Sequence, residues 1–306
     1  MMYFCSLLAM IGIYSIMTLS TNILIGYGGV ISMSQASIFG IAAYAVGILT
    51  LAGWNWWLAL LVAILLAVVA NILLTLPSLR ASGFHFMVIT FGFAKFMTTG
   101  FANWKITGAS YGLLGIPKAS IFGLTINNSL KQMIFVWVIL GVCFYIATRL
   151  IRSPYGELVE AQRQEPQAVE AIGKSTLKVK VVNAAVSGVF AAIAGALYAQ
   201  YISYIDFSSF NQDISFNLTI YVFLGGAATM GGSIAGPVFM LLIPQLISLL
   251  PIPASMTGPL QQLIYGLLLV TFMLFKPDGL VSKKSEGSEG LISRLLKRRG
   301  QSDGIA

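Results

Sequence analysis

Three hydrogen-bonding side chains stand close together in an apolar stretch near the start of the chain. Ser32, Ser34 and Gln35 occur in GYGGVISMSQASIFG, residues 26–40, together with four glycines. Their hydroxyl and amide groups can bind the ammonium and carboxylate of a small solute. Inside a membrane, however, serines also bond to neighbouring helices, and glycines permit close helix packing. The pattern therefore predicts either a binding path or a packing site, and for the glycines we favour packing.

Two ionisable side chains fall inside a predicted membrane span. Such residues are costly in a membrane and are candidates for function. His85 lies near the start of its helix and close to Arg80, which favours a position at the membrane interface. Lys95 lies deeper, and its long side chain can extend toward the outer face. We interpret both as interface residues, with contact to a solute as the alternative.

Several kinds of chemistry are disfavoured. The predicted spans contain no Asp or Glu, which argues against a self-contained transporter driven by protons or sodium. No constellation of His or carboxylates suits a membrane enzyme. Residues 173–176 read GKST, the end of a phosphate-binding P-loop, but Ala168 stands where that motif requires glycine. We predict no ATPase site, cofactor or metal in this chain.

The composition indicates that these side chains lie in a membrane protein. Hydrophobic residues make up 57% of the chain and charged residues 9%, against about 25% charged in an average soluble domain. The mean hydropathy is +0.86. The sequence predicts an all-α integral membrane protein, a polytopic bundle of about eight spans, because each span needs about 20 apolar residues. Single spans are predicted at 3–25, 30–52, 57–77, 83–103, 131–151, 179–202 and 259–275.

The basic residues predict the orientation of the bundle. They collect at 149–180 and 276–299, and such clusters remain cytoplasmic; we therefore predict no nucleic-acid partner despite the net charge of +8. An even number of crossings must separate the two clusters, so region 216–250 must begin and end outside. As one helix it would measure about 52 Å, too long for a single span.

The point at which this region folds back is predicted at LGGAATMGGSIAGP, residues 224–237. Glycine and proline there free backbone groups that cannot face lipid, which predicts two half-helices. Segment 26–40 likewise has clustered glycines and small polar residues followed by an apolar helix. We therefore predict an internal repeat with a central transport path. The residues predicted to line this path are Ser32, Ser34, Gln35, Thr90, Gly225 and Gly226.

One polar segment, residues 152–176, interrupts the apolar chain. Ser153 followed by Pro154 predicts the start of a short helix, and Pro166 predicts a second one that Gly173 ends. Val169 and Ile172 are expected to share a face of the second helix. The segment predicts either a solvated connector or a docking element for a soluble partner.

The remaining expectations concern the two surfaces and the tail. Counting from the polar segment places Arg80 inside, and residues 104–130 and the N-terminus outside. Asp206 and Asp213 are expected on a solvated outer loop. The predicted division is a transmembrane domain at 1–278, with a cytoplasmic loop at 153–178, and a basic tail at 279–306. Part of that tail, 290–300, either lies on anionic lipid or is disordered.

Six segments of the chain form an ordered series. They read NILIGYGGVISMSQASIFGIAAY at 22–44, FHFMVITFGFAKFM at 84–97, ITGASYGLLGIP at 106–117, RQEPQAVEAIGKSTLKVKVVNAAVSGVFAAIAGALYA at 163–199, LGGAATMGGSIAGP at 224–237 and FKPDGL at 275–280. In this order they resemble the permease subunits of branched-chain amino acid ABC importers, the LivH and LivM group and particularly its LivM side.

The resemblance implies a transport subunit, not an enzyme, in the bacterial cytoplasmic membrane. Two permease subunits would form the path, two ATP-binding subunits would dock on the cytoplasmic loop and use ATP, and a soluble binding protein would deliver substrate from outside. Asp206 and Asp213 could then contact that binding protein. The residues expected to couple the loop to the ATPases are Arg163, Glu165, Val169, Glu170, Ala171, Ile172 and Gly173.

The substrate stays open at this point. Tyr111 replaces a commonly polar residue of the family, and His85 with Lys95 adds unusual polarity, whereas Gln35 is within the family's pattern. Relatives often carry additional N-terminal spans. Permeases for urea and short-chain amides share the scaffold, so these solutes remain alternatives to branched-chain amino acids.

Overall fold

A computed structural model of the chain describes residues 2–78, 84–118, 120–121, 124–125, 128–248, 254–275 and 279–281. It is built almost wholly of helices. They are α1 (Met2–Thr21), α2 (Gln35–Leu51), α3 (Trp56–Ser78), α4 (Phe84–Asn103), α5 (Ser129–Ile151), α6 (Pro154–Gln164), α7 (Pro166–Ala171), α8 (Thr176–Ile202), α9 (Gln212–Gly225), α10 (Gly232–Ser248) and α11 (Ala254–Phe275). Arg80 and most of the basic tail, including 290–300, lie outside the described residues.

Helix α8 forms the centre of the bundle, where it packs against α1, α2 and α3. Its buried residues are largely alanine and glycine. A Cβ atom on Gly195 would lie 2.4 Å from the carbonyl oxygen of Phe39, so α2 and α8 touch through their backbones. Close approach of this kind is how membrane helices gain dispersion energy, since lipid tails already satisfy apolar side chains.

The first span differs from its predicted bounds. Helix α1 continues as a π-helix over Asn22–Tyr27, all of it buried. The chain then runs without regular structure until α2 begins at Gln35, five residues after the predicted start at residue 30. The reason is that Met33 donates its backbone N–H to Thr90 of α4 rather than to a helical carbonyl.

Short strands, which the sequence did not predict, occur in the predicted outer loops. Strand β1 (Leu113–Leu114) pairs antiparallel with β4 (Tyr204–Ile205), and β2 (Ser120–Ile121) pairs with β3 (Leu124–Thr125). After β4, the short helical turn Phe207–Phe210 packs into the bundle. There Phe210 is fully buried; its ring contacts those of Phe39, Tyr44, Phe101 and Tyr198.

The predicted fold-back of region 216–250 is confirmed within the described residues. Helices α9 and α10 pack against each other and are separated by residues 226–231. Gly226 has φ of +116°, a conformation that L side chains rarely adopt. The chain after α11 returns to this turn, where Leu280 N–H donates to Leu224 O at 2.8 Å.

One end of the bundle carries the polar segment. Tyr27, Val159 of α6, Val179 of α8 and Ala228 of the α9–α10 turn form one buried cluster. Both helix interruptions therefore lie at this end, which we call the α6 end. It is the end that the basic residues predict to be cytoplasmic.

The helices of the polar segment begin and end as predicted, with Pro154 and Pro166 in their first turns and Gly173 at φ of +76°. The expected shared face is wrong: Val169 is 1% exposed, whereas Ile172 is 69% exposed. The reason is that α7 ends at Ala171, so Ile172 leaves the helical direction.

Four described helices are long and apolar enough to cross a membrane: Tyr3–Tyr27, Trp56–Leu76, Ser129–Ile151 and Thr176–Ile202. Gln35–Leu51, Gly232–Gln245 and Gly258–Phe272 are shorter apolar helices. The outer faces of α3 and α5 consist mainly of large apolar side chains such as Leu61, Leu65 and Val138. Such faces suit contact with lipid and define a multi-pass membrane protein.

Candidate functional site

Gln35 opens α2 in the centre of a buried polar cluster. Its Oε1 atom lies 3.3 Å from Ser20 Oγ of α1 and 3.5 Å from Ser187 Oγ of α8. Ser20 in turn donates to the carbonyl of Ser187 at 2.7 Å. The Gln35 Nε2 group is fully buried and has no hydrogen-bond partner among the described residues. This amide therefore joins three helices and leaves its Nε2 amino group available as a donor.

The segment before α2 is held by α4 and α9. Ser32 and Ser34 share a hydroxyl hydrogen bond of 2.9 Å, and Thr90 Oγ1 accepts from Met33 N–H at 3.1 Å. At the second residue of α2, Ala36 N–H donates to Ser215 Oγ of α9 at 3.0 Å. Three separate parts of the chain thus meet around this interruption.

The second interruption is tied to the first span through Asn22. The Asn22 Nδ2 group donates to Thr229 O and Ser233 Oγ, both at 2.8 Å. Its Oδ1 accepts from Ala228 N–H at 3.0 Å. These three bonds satisfy backbone and side-chain groups of the α9–α10 turn that would otherwise be buried without partners.

The structure brings the six predicted path residues into the interior of the subunit. Ser32, Ser34, Gln35, Thr90, Gly225 and Gly226 are all buried. Gly225 permits close backbone contact, because a Cβ there would lie 2.1 Å from Gly232 O. Sequence reasoning missed Ser20, Asn22, Ser187 and Ser215, although a polar side chain inside an apolar span was an available signal.

A cavity of about 450 Å³ opens at the α6 end, beside the first interruption. Its wall is formed by Leu24, Gly28, Gly29, Val30, Ile31, Thr75, Phe84, Phe86, Met87, Gln162, Arg163, Pro166 and Lys180. None of the six predicted path residues is part of that wall. The cavity instead touches the segment that leads to them.

Arg163 connects the polar segment to the first interruption. Its Nη1 group donates to the carbonyl oxygen of Gly26. A Cβ on Gly29 would lie 2.7 Å from the Arg163 Cγ atom, so the side chain rests directly on the turn. A movement of α6 would therefore be transmitted to the segment that precedes Gln35.

The other predicted coupling residues lie on the surface of the same segment. Glu165, Glu170, Ala171 and Gly173 are exposed, and Glu170 Oε1 accepts from Thr176 Oγ1 at 2.9 Å. With Ile172 they form an exposed patch around the end of α7, anchored below by Val169.

Two ionisable groups outside the spans have shifted pKa values. Burial raises the pKa of Tyr155, in α6, to about 12. Burial alone would raise the pKa of Asp206 in the outer loop, but hydrogen bonds from Ser208 and Ser209 outweigh it and lower the pKa below the usual value. The Asp206 carboxylate therefore caps the turn over Phe207–Phe210 throughout the neutral pH range.

The helices and their apolar outer faces define a multi-pass helical membrane protein. The sequence matches, over residues 3–273, the family described as "Branched-chain amino acid transport system / permease component". The chain belongs to this family.

Individual proteins similar to this chain are named as permease proteins of transport systems. The chain is 26% identical over 294 residues to the high-affinity branched-chain amino acid transport system permease protein LivM of Escherichia coli K12, covering 88% of this chain and 68% of that protein. It is 24% identical to the probable LivM permease of Methanocaldococcus jannaschii, covering 80% and 73%. It is also 24% identical to the autoinducer 2 import system permease protein LsrC of Escherichia coli O9:H4, covering 80% and 70%. No solved structure matches the chain.

Proposed function

We propose that this chain is the permease subunit of an ATP-driven importer that carries branched-chain or related amino acids across the bacterial cytoplasmic membrane. The family match over residues 3–273 is the observation that carries the proposal. Two chains of this kind would form the path, two ATP-binding subunits would supply the energy, and an extracytoplasmic protein would deliver the substrate. No ATP would be used in this chain itself.

The contact between Arg163 and the first interruption supports a route for coupling. ATP-driven closure of the partner ATPases moves α6 and α7; because Arg163 rests on Gly29 and bonds to Gly26, the segment before α2 follows. The predicted path residues lie behind that segment and shift with it. Alternating access then results from changes at the two helix interruptions, where few regular hydrogen bonds have to break.

Uptake by the reconstituted complex tests the function. The full chain, its partner subunits and the binding protein are placed in vesicles, and ATP-dependent uptake of labelled leucine and urea is compared. We expect leucine uptake that requires ATP and every subunit. Uptake of urea alone would assign the chain to the urea and amide permeases instead. Leucine uptake by this chain without ATP would overturn the proposal.

A substitution at Ile172 tests the docking patch. Ile172 is 69% exposed beside the end of α7, where it suits an apolar pocket on an ATPase subunit. Ile172→Asp is expected to lower ATPase co-purification and leucine uptake at least about tenfold, since central apolar anchors dominate interfaces. The matched control is Gln167→Asp, which adds the same charge to an exposed residue of α7. Equal ATPase retention by both variants would argue against docking at this patch.

A substitution at Gln35 tests the path. Gln35→Leu keeps the side chain's size but removes the bonds near Ser20 and Ser187 and the available Nε2 donor. We expect leucine uptake to fall about tenfold with the complex still assembled, as measured by size-exclusion chromatography. Ser37→Ala, at a buried hydroxyl of the same helix turn, should leave uptake nearly unchanged. Loss of assembly in Gln35→Leu would indicate that Gln35 acts only in helix packing.

A further inference from the structure

Helix α4 differs from α3 and α5, the apolar helices at the surface of the bundle. It has 20 residues, yet it is not among the four described helices that are both long and apolar enough to cross a membrane. Only one side of it is buried, the side that carries Phe86, Thr90, Ala94 and Phe101. The opposite side has no neighbour within the described part of this chain that would bury it.

That opposite side carries polar groups in its first turn and over its second half, with the exposed apolar residues Val88 and Ile89 between them. His85, Gly92, Lys95, Thr99 and Asn103 are all exposed, and their spacing of three, four or seven residues places them on one face. We call these five residues the α4 stripe. A Cβ added to Gly92 would meet no atom within 4 Å, so there is open space beside the middle of the stripe. By contrast, the exposed residues in the middle of α3, such as Leu61, Leu65 and Val69, are apolar.

Lys95 cannot easily bring its ammonium group to either end of the helix. It lies about 16 Å along the axis from Phe84 and about 12 Å from Asn103, at 1.5 Å per residue. Its Cα–Cβ bond is tilted toward the helix N-terminus, so the side chain leans away from the nearer end. A lysine stem reaches roughly 6 Å, which leaves the ammonium group about 10 Å short of Phe84. No carboxylate in the described part of the chain pairs with it.

We propose that the α4 stripe lines a water-filled path between this chain and a second permease subunit, and that Lys95 binds the substrate's carboxylate there. Charged side chains within a span face water or protein rather than lipid. The apolar residues on either side of the stripe, including Phe91 and Phe96, are 50% and 63% exposed and provide the contact with the second subunit. On the buried side of α4, Thr90 accepts a hydrogen bond from Met33 and so connects the helix to the segment before Gln35.

This inference rests on the proposed function for the second subunit and the substrate, but its location can be tested separately. Cys5 and Cys143, which are both buried, are first replaced by alanine. Thr99→Cys, at the exposed stripe residue one turn from Lys95, is then introduced into the full complex and treated with a small water-soluble thiol reagent. We expect rapid labelling that excess leucine slows. Leu65→Cys, on the apolar face of α3 and 63% exposed, and Ala94→Cys, on the buried side of α4, should stay unlabelled.

Each result decides one part of the proposal. Failure of Thr99→Cys to react in the assembled complex would overturn the water-filled path, whatever the complex transports. Labelling that leucine does not slow, in a complex that takes up leucine with ATP, would overturn the carboxylate contact. If no leucine is taken up at all, the proposed substrate fails while the labelling still locates the path.

Two further measurements address the charge and the covering subunit. Lys95→Arg is expected to keep most of the leucine uptake, whereas Lys95→Met should lower it about tenfold without loss of assembly. Equal uptake by the two variants would contradict a role for the charge. A photo-crosslinking amino acid at Phe96 should form an adduct with the second permease subunit, and one at Leu65 should not. Absence of the adduct from Phe96 would overturn the assignment of this face.

Discussion

Replacing Gly225 with valine is expected to prevent the protein from folding in the membrane. A Cβ at this position would lie 2.1 Å from the carbonyl oxygen of Gly232 and 3.1 Å from the backbone nitrogen of Gly236. These are backbone atoms of α10, so they can move only if the whole helix moves away from α9. The cost of such overpacking is about 3 kcal/mol or more.

The measurement is the yield of monodisperse protein extracted from the membrane, followed by its melting temperature in detergent. Gly141→Val in α5 is the matched control, because a Cβ there meets no atom within 4 Å. We expect the control to resemble the wild-type protein. Equal yields from Gly225→Val and Gly141→Val would show that α9 and α10 do not approach each other as closely as described.

Asn22→Leu is expected to have the second largest effect on stability. The substitution keeps the volume of the side chain but removes three hydrogen bonds to Ala228, Thr229 and Ser233. Hydrogen bonds between membrane helices contribute about 0.6 to 1.7 kcal/mol each, so the loss is about 2 to 5 kcal/mol. The α9–α10 turn should then detach from α1, and the melting temperature should fall sharply.

The same change at an exposed asparagine provides the control. Among the described residues, Asn55 Oδ1 accepts only the Trp57 N–H at the start of α3, at 3.1 Å. Loss of such a helix cap costs about 1 kcal/mol. Asn55→Leu should therefore lower the melting temperature much less than Asn22→Leu. A similar decrease in both variants would mean that Asn22 does not connect the turn to the first span.

Local sequence signals predicted the elements that depend on local physics. Pro154 and Pro166 begin α6 and α7 because proline suits the first helical turn, and Gly173 ends the segment because it adopts a positive φ. The glycines at 225–236 predicted the turn between α9 and α10. Each of these features depends on residues close in the chain, and for this reason they could be read from the sequence.

Contacts between distant residues could not be predicted in this way. Ser20 and Ser187 are 167 positions apart, yet together they surround Gln35. The late start of α2 depends on Thr90, which lies 57 positions from Met33. Asn22 bonds to residues more than 200 positions away. Only the Met33 bond replaces a helical backbone bond, which is why the predicted start of α2 was wrong. The other contacts join side chains to distant parts of the chain, so no local pattern indicates them.

By itself the sequence determined that the protein is a polytopic helical membrane protein with two glycine-rich segments and one polar segment. Composition and apolar run length decide this, because a membrane accepts only chains whose backbone bonds are satisfied internally. The tertiary structure alone decided which polar residues meet. It placed Gln35 in the buried interior of the subunit and Lys95 on the exposed surface of α4. The physical reason is that exposure depends on which helices pack together, and one helix face can meet a neighbouring helix while its opposite face does not.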